Sequence, residues 1–167
     1  GPKKGAMEAL FEGADVGEEE EEGLTLEIEY ARSLPMAKAM SDDTLVAYLM
    51  NGEPLEPAHG YPVRLIVPGW YGMASVKWLS KITVLDHSFV GFFQTDRYIM
   101  ETEDGGMGPL RDMVVKSLIS SPRHGQIFEV RPLQVTGLAW SGAGAVTQVE
   151  VSDDFGESWR PAQLGGL

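Results

Sequence analysis

The chain has 167 residues, with 25 acidic and 13 basic side chains, a formal net charge of −12 and no cysteine. Hydrophobic residues make up 43% of it and charged residues 23%, as in ordinary globular proteins. The acidic balance argues against general nucleic-acid binding, which needs a basic surface. The lack of cysteine excludes disulfides and thiolate metal sites within this chain. Its three histidines are not at metal-ligand spacing, so no metal site is predicted.

Glycine and proline residues occur throughout the chain and are expected to mark the ends of its helices and strands. Gly 20 and Pro 10 favour short elements and many turns, hence a β-rich or mixed α+β fold. No apolar run reaches the roughly 18 residues that a transmembrane helix needs. The N-terminal segment lacks the apolar core of a signal peptide. We therefore expect a soluble protein, and the sequence leaves its compartment open.

The first third of the chain predicts one strand and one short helix. Residues 1–10 are expected to be a frayed or tag-like end. The run of glutamates at 18–22 predicts a solvated loop rather than a calcium site, because adjacent glutamates repel one another. Leu24–Tyr30 alternates apolar and polar residues, which predicts a half-buried strand. The following MAKAM segment predicts a short helix with its cap near Ser33 or Leu34.

Three more strands are predicted before residue 100. Thr44–Met50 is an apolar strand that meets Asn51–Gly52, a strong hairpin turn signal. Tyr61–Val67 and Lys81–Leu85 are the other two strands. The glycines at 105, 106 and 108 mark a mobile loop.

A second domain is predicted to begin at Pro122. Short alternating segments follow it at Leu133–Trp140, Val146–Ser152 and Ser158–Leu164. Their regular spacing suggests an immunoglobulin-like sandwich, which usually needs about seven strands over roughly 100 residues. We therefore predict two parts, 11–121 and 122–167, and expect the second to be incomplete and the chain to be a fragment.

The segment His59–Leu79 is cationic within an acidic chain. It carries His59, Arg64 and Lys77, and no Asp or Glu occurs from Ala58 to Leu85. An acid-free group of donors between glycines and prolines predicts an anion site. Arg64 could instead face outward on an edge strand, and His59 taken alone is more typical of a turn than of a ligand.

Other polar residues leave alternatives open. The WYGMAS loop could present backbone amides as an anion nest completed by Ser75 and Lys77, although it is not a P-loop. Asp15 is either a turn residue or an acceptor for the N–H edge of a heterocycle. Tyr98 is either a packed aromatic with a surface hydroxyl or a functional phenol. The residues alone give no reason to prefer catalysis for it.

Long segments of the sequence resemble sulfite oxidases. NGEPLEPAHGYPVRLIVPGWYGMASVKWL, residues 51–79, is similar to their molybdenum-cofactor domain, with FEGAD at 11–15, YARSLP at 30–35 and FQTDRY at 93–98 in the family's order. Residues 137–159 look like the start of the immunoglobulin-like dimerisation domain. The resemblance implies a mixed α+β fold, part of the sulfite-oxidase molybdopterin-binding fold followed by an incomplete immunoglobulin-like β-sandwich. Eukaryotic nitrate reductases share both domains.

The resemblance implies roles for individual residues. Arg64, His59 and Lys77 suit the phosphate and polar edge of molybdopterin, and Asp15 suits the N–H donors of the pterin. Tyr98 matches the catalytic tyrosine that lines the substrate pocket. The residues implied to contact the cofactor are Asp15, His59, Arg64, Ser75, Val76 and Lys77.

The implied reaction is oxygen-atom transfer to sulfite, giving sulfate. The electrons would pass to a haem or cytochrome partner, and the second domain would form a homodimer. The family fixes molybdenum through a cysteine thiolate that this chain lacks, so we expect no turnover from the chain alone. The alternatives are a non-catalytic binding or interaction module derived from this fold, or an enzyme for nitrate or an organic sulfoxide.

Overall fold

The chain folds into two compact units, Gly1–Arg111 and Asp112–Leu167. The computed structural model describes residues 1–21, 23–102, 104–129 and 131–165. Its regular elements are mostly strands, with a few short helical turns. We expected a mixed α+β fold, and the structure consists mostly of β-strands. None of the helices in the described ranges is long and apolar enough to cross a membrane.

The first unit contains strands of very different length. The strands are β1 (Glu8–Glu21), β2 (Leu24–Pro35), β3 (Leu45–Ala47), β4 (Leu49–Met50), β5 (Glu53–Pro54), β6 (Arg64–Ile66), β7 (Leu79–Leu85), β8 (Ile99–Glu101) and β9 (Met107–Pro109). The helical segments are α1 (Met36–Ala39), the 3₁₀ turns Pro57–His59 and Gly72–Ala74, and the π-helical turn Phe92–Asp96.

An antiparallel sheet in the order β2–β1–β7 supports the first unit. Phe11 in β1 lies opposite Arg32 in β2 and Ile82 in β7. The buried residues of this sheet pack on residues from β6 and from the loop that follows it. The core consists of Ala9, Phe11, Leu34, Leu65, Val67, Trp70, Ala74 and Val76. This packing fixes the 70–76 loop against the sheet, where apolar burial holds it in place.

The predicted loop at the glutamate run is wrong. Glu18–Glu21 belong to β1 and pair with the start of β2, so the backbone hydrogen bonds of a long hairpin outweigh the repulsion between neighbouring side chains. Glu22 lies outside the described residues. β1 begins at Glu8, within the segment expected to be a frayed or tag-like end, and Ala9 is buried.

Other element predictions differ mainly in their bounds. The strand predicted at Leu24–Tyr30 is confirmed and continues to Pro35, so Ser33 lies in the strand and does not cap the helix. The hairpin turn is confirmed, since Asn51 and Gly52 have φ values of 55° and 87° between β4 and β5. The strands predicted around β6 and β7 are also present.

The second unit consists of two antiparallel strand pairs in its described part. Its strands are β10 (Lys116–Ser121), β11 (Thr136–Trp140), β12 (Glu150–Val151) and β13 (Arg160–Pro161). β10 pairs with β11, and β12 pairs with β13. The three segments predicted as strands contain β11, β12 and β13. The sequence analysis did not predict the serine-rich β10. This strand precedes Pro122 in the chain and pairs with β11, which follows it.

Candidate functional site

A bulge in β1 displaces Asp15 from the regular sheet. The register between β1 and β2 shifts between Glu12 and Val16. The N–H of Ala14 instead donates to the carbonyl oxygen of Trp78 at 2.9 Å. Asp15 Oδ1 is buried and accepts no hydrogen bond from the residues that the structure describes. Because an unsatisfied buried acceptor costs about 1–3 kcal/mol, this atom is suited to a donor from outside the chain.

The bulge lies against the cationic segment. A Cβ at Gly13 would collide with the Asp15 carboxylate and would lie 3.0 Å from the backbone oxygen of Lys77. A side chain at position 13 would therefore force the two segments apart. The Asp15 acceptor and the Lys77 backbone consequently belong to one site.

Gly60 lets two cationic residues approach each other. It follows the 3₁₀ turn that ends at His59, and its φ of 102° is a left-handed conformation that favours glycine. A Cβ here would lie 3.0 Å from the Cβ of Lys77 and 3.1 Å from the Cβ of Arg64. The three residues predicted to form an anion site thus surround one glycine.

Nearby backbone carbonyls fix the direction of these cations. Arg64 Nη1 donates to the carbonyl oxygen of His59 at 3.1 Å, and Nη2 donates to that of Ser75 at 3.4 Å. Lys77 Nζ donates to the carbonyl oxygen of Ala58 at 3.2 Å. Guanidinium and ammonium groups have more N–H donors than these bonds use. Both side chains therefore keep donors for an anion.

The loop that carries Ser75 folds back on itself. The amide of Ser75 donates to the carbonyl of Gly72 at 3.0 Å, and the amide of Val76 donates to that of Ala74 at 3.1 Å. The predicted nest of free amides is therefore wrong at these two positions. Ser75 Oγ accepts the N–H of Val67 at 3.0 Å, so its own O–H proton is what it can offer a ligand. Val76 is buried and anchors the loop.

One exposed carboxylate, that of Glu56, lies beside the cluster of cations. The Glu56 carboxylate comes within 4.0 Å of His59 Nδ1, with both side chains largely exposed, so the attraction is weak. Within the described ranges, no three His, Asp or Glu side chains are placed to hold a metal ion. The cluster therefore remains a local cationic site in an acidic protein.

Tyr98 projects from a strained loop. It follows the π-helical turn Phe92–Asp96 and has a φ of 55°, which is uncommon outside glycine. Its ring centre lies 6.2 Å from that of Phe93, and its carbonyl oxygen accepts the N–H of Leu110 at 2.6 Å. The side chain is 45% exposed, so it is not a core aromatic. A conformation of this kind persists where its surroundings enforce it.

Tyr30 contacts both the 70–76 loop and the turn before Tyr98, a role that the sequence did not predict. Its hydroxyl donates at 2.7 Å to the carbonyl oxygen of Met73, in the 70–76 loop, and its ring centre lies 4.7 Å from that of Phe93. Burial raises the pKa of Tyr30 to about 12, and both Tyr98 and Asp15 lie within electrostatic reach of it. Its phenol thus remains a hydrogen-bond donor at neutral pH.

Arg32 is the second residue that was missed. It is 1% exposed, and its guanidinium donates to backbone carbonyls of the segment around Tyr98. The alternation that starts at Leu24 places even-numbered residues on the apolar face. Continued two residues beyond Tyr30, it puts an arginine on that face, where a charge is unusual. That signal could have identified Arg32.

Two family models match the chain. The model described as "Oxidoreductase molybdopterin binding domain" matches residues 1–93. The model described as "Mo-co oxidoreductase dimerisation domain" matches residues 108–166. The first of these alone covers more than half of the chain.

Individual proteins of known type are also similar. Human mitochondrial sulfite oxidase is 39% identical over 148 residues, which cover 82% of this chain and 27% of that protein. The NADH nitrate reductase of Solanum lycopersicum is 34% identical, with 97% of this chain and 20% of that protein covered. The crystal structure of the sulfane dehydrogenase SoxCD from Paracoccus pantotrophus superposes with a TM-score of 0.77 at 37% identity.

These matches cover most or all of the chain but only part of each relative. The SoxCD superposition covers 100% of this chain and 41% of that one, and the chain spans 27% or less of the two curated relatives. The resemblance seen in the motifs is confirmed, as is the sulfite-oxidase type of fold. The chain belongs to the sulfite oxidase family of molybdopterin oxidoreductases.

Proposed function

We propose that this chain forms part of the molybdopterin pocket of an enzyme that oxidises sulfite to sulfate. The observation that carries the proposal is the buried Asp15 Oδ1, which has no hydrogen-bond partner among the described residues and lies near the backbone of Lys77, one of the two cations that approach Gly60. Molybdopterin has the matching groups, N–H donors on its pterin edge and a phosphate. The donors and acceptors of the chain therefore fit this cofactor.

Each residue has a separate task in the proposed pocket. Asp15 accepts hydrogen bonds from the pterin edge, where its carboxylate strengthens them. Arg64, His59 and Lys77 face the phosphate, for which the guanidinium fork is well suited. Ser75 adds a hydroxyl donor, and Val76 holds this loop in the core. Together they bind and orient the cofactor.

Tyr98 is the proposed catalytic residue. When bound, the cofactor supplies oxygen-atom transfer at molybdenum. The Tyr98 phenol is partly exposed on a braced loop, so it can donate its O–H to an oxygen of an anionic substrate. Because the loop already holds the residue in a strained conformation, little reorganisation is needed when the substrate arrives.

Nitrate is the second candidate substrate. The tomato nitrate reductase matches 97% of this chain, against 82% for human sulfite oxidase. We favour sulfite because human sulfite oxidase has the higher identity and the SoxCD neighbour is named for a sulfane substrate. A non-catalytic module that only binds the cofactor is the third possibility.

The second unit supports proposals about assembly. We infer that it contains the start of an immunoglobulin-like dimerisation domain, supported by the family match over residues 108–166 and by its antiparallel strand pairs. We place its start after Arg111 rather than at Pro122, because β10 and β11 pair across Pro122. A homodimer and a haem or cytochrome electron acceptor complete the proposed assembly.

The test joins this chain to the cysteine-bearing N-terminal half of a family member. Loaded with cofactor, the fusion should reduce ferricyanide with sulfite, and Tyr98→Phe should slow this reaction. The 167 residues alone should not turn over, since they contain no cysteine. Nitrate reduction without sulfite oxidation would favour the second candidate. A cofactor-loaded fusion that is inactive with both anions would favour the binding module.

A further inference from the structure

Arg32 is a buried cation that lacks a carboxylate partner in the described part of the chain. It is 1% exposed, and its Nε is buried without an acceptor among those residues. Burial lowers the pKa of Arg32, and repulsion from Arg111 adds to the effect. An apolar residue of similar size would often be as stable or more so at such a position. Stability alone therefore does not account for this arginine.

The guanidinium of Arg32 holds the chain on both sides of Tyr98. It donates to the carbonyl oxygen of Phe93, in the π-helical turn before Tyr98, and at 2.9 Å to that of Leu110 after it. The N–H of Leu110 in turn donates to the carbonyl oxygen of Tyr98 at 2.6 Å. One side chain thus fixes both ends of the segment that carries the strained tyrosine.

The same end of β2 also holds the cofactor loop. Tyr30 and Arg32 are two positions apart in a strand and so share a face. The Tyr30 hydroxyl donates to the Met73 carbonyl, whereas Arg32 binds the Phe93 carbonyl. A short stretch of β2 therefore sets the spacing between residues 70–76, here called the cofactor loop, and residues 93–110, here called the tyrosine loop.

We propose that Arg32 is a positioning residue, which holds the Tyr98 phenol at a fixed place relative to the cofactor loop and supplies a buried positive charge beside it. The catalytic meaning of this role rests on the proposed function, in which Tyr98 meets the substrate. The hydrogen bonds from Arg32 to the Phe93 and Leu110 carbonyls, which we call the clamp, form in the chain without cofactor. The clamp can therefore be tested separately from catalysis.

Hydrogen exchange on the full 167-residue chain tests the clamp. Arg32→Met removes the charge and the donor fork, and Arg32→Lys keeps the charge but not the fork. Both should speed the exchange of the Leu110 amide, which donates to the carbonyl oxygen of Tyr98, and of the Arg97 amide, which donates to that of Phe92. Leu34→Ala is the control, because it truncates a fully buried side chain of β2 and leaves the hydrogen bonds of Arg32 in place. When the variants are compared in conditions that give them equal global stability, Leu34→Ala should leave the exchange of both amides slow.

Fluorine NMR of chain labelled with 3-fluorotyrosine gives the second readout. The Tyr98 resonance, assigned with Tyr98→Phe, should move in Arg32→Met, return part of the way in Arg32→Lys, and stay in place in Leu34→Ala. If Arg32→Met does not fold, the Arg32→Lys variant tests the proposal by itself. Faster exchange of its Leu110 amide than in Leu34→Ala would support the clamp. The proposal is overturned if the Arg32 variants match Leu34→Ala in both measurements. A failed sulfite assay with an intact clamp would refute only the proposed function.

Discussion

At the residue scale, two buried polar atoms stand out because no hydrogen-bond partner for them occurs among the described residues. They are the Asp15 Oδ1 acceptor and the Arg32 Nε donor. Residues selected only for stability would satisfy such atoms or replace them with apolar groups. Natural proteins depart from these rules mainly where function requires it. Both atoms lie in segments that we assign to the site.

Asp15→Ala should separate stability from binding. Removing a buried acceptor that has no partner in the described ranges should leave the unfolding free energy of the cofactor-free chain unchanged or raise it by up to about 1 kcal/mol. Affinity for molybdopterin should fall, because the pterin edge loses its acceptor. Urea unfolding and cofactor titration measure the two effects. Asp43→Ala, at an exposed aspartate paired with Lys38, is the control and should not change cofactor affinity. Unchanged affinity in Asp15→Ala would refute the pterin contact.

Gly60→Ala should weaken cofactor binding through crowding. The new Cβ would be 3.0 Å from Lys77 Cβ and 3.1 Å from Arg64 Cβ, in a backbone with φ of 102°. Gly52→Ala is a matched control, with φ of 87° and nothing within 4 Å of its Cβ. Both should lose about 1 kcal/mol of stability from the strained conformation. Only Gly60→Ala should also lose affinity, and equal affinities would show that the cations are not part of the pocket.

At the element scale, β2 organises the site from its buried end. Its residues from Tyr30 to Leu34 pass from half-buried to fully buried, while its first residues, near Leu24, are exposed. The exposed end pairs with the glutamate-rich end of β1. Hydrogen bonds from Tyr30 and Arg32 then reach two different loops. A single strand thus links the sheet, the cofactor loop and the tyrosine loop.

Tyr30→Phe should show the contribution of this link and its pH dependence. At neutral pH the variant should lose about 1 kcal/mol, the usual value of one hydrogen bond, here to Met73. The pKa of Tyr30 is raised from 10.0 to about 12 in the folded state, so folding favours the protonated phenol. Wild-type stability should therefore be fully present below pH 10 and fall between pH 10 and 12, where Tyr30→Phe falls less.

Urea unfolding at several pH values measures this difference. Tyr48→Phe is the control, because Tyr48 is 64% exposed and its change should leave stability at neutral pH unaltered. Parallel pH profiles for the wild-type chain and Tyr30→Phe would contradict a buried, protonated phenol at position 30.

Local patterns in the sequence predicted local structure well. Alternation identified β2, and Asn51–Gly52 identified the hairpin between β4 and β5. The missed features depend on partners distant in sequence. The Asp15 bulge arises where β1 pairs with both β2 and β7, and the Arg32 contacts need the loop around Tyr98. The glutamate run was misread because strand pairing overrode local repulsion.

The candidate site could be predicted as a set of residues but not as an arrangement. The absence of acids around Arg64 and Lys77 indicated an anion site, and the motifs indicated its family. The closeness of these cations around Gly60 follows from the packing of the 70–76 loop into the core, which no local pattern shows. The engaged amides of Ser75 and Val76 likewise depend on how that loop folds.

At the scale of the whole molecule, the proposed function requires a chain of net charge −12 to bind an anionic cofactor. Long-range repulsion opposes the approach of such a ligand, and salt screens it over a Debye length of about 8–10 Å. The attraction that holds the ligand is confined to the cationic cluster around Gly60. Within this cluster the contact from Arg64 to the Ser75 carbonyl is partly buried, and charge there is screened less than at the exposed contacts. Binding should therefore depend on those particular residues and not on the net charge.

Molybdopterin binding by the 167-residue chain, followed as a shift in thermal unfolding, tests the central claim most directly. A ligand that binds only the folded state adds about 2.7 kcal/mol of stability at a hundred times its dissociation constant. Wild-type chain and the Arg160→Ala control, at an exposed arginine of the second unit, should gain this stability equally. Arg64→Ala should lose most of the gain. No gain in the wild-type chain, or an equal gain in Arg64→Ala, would contradict the proposed pocket.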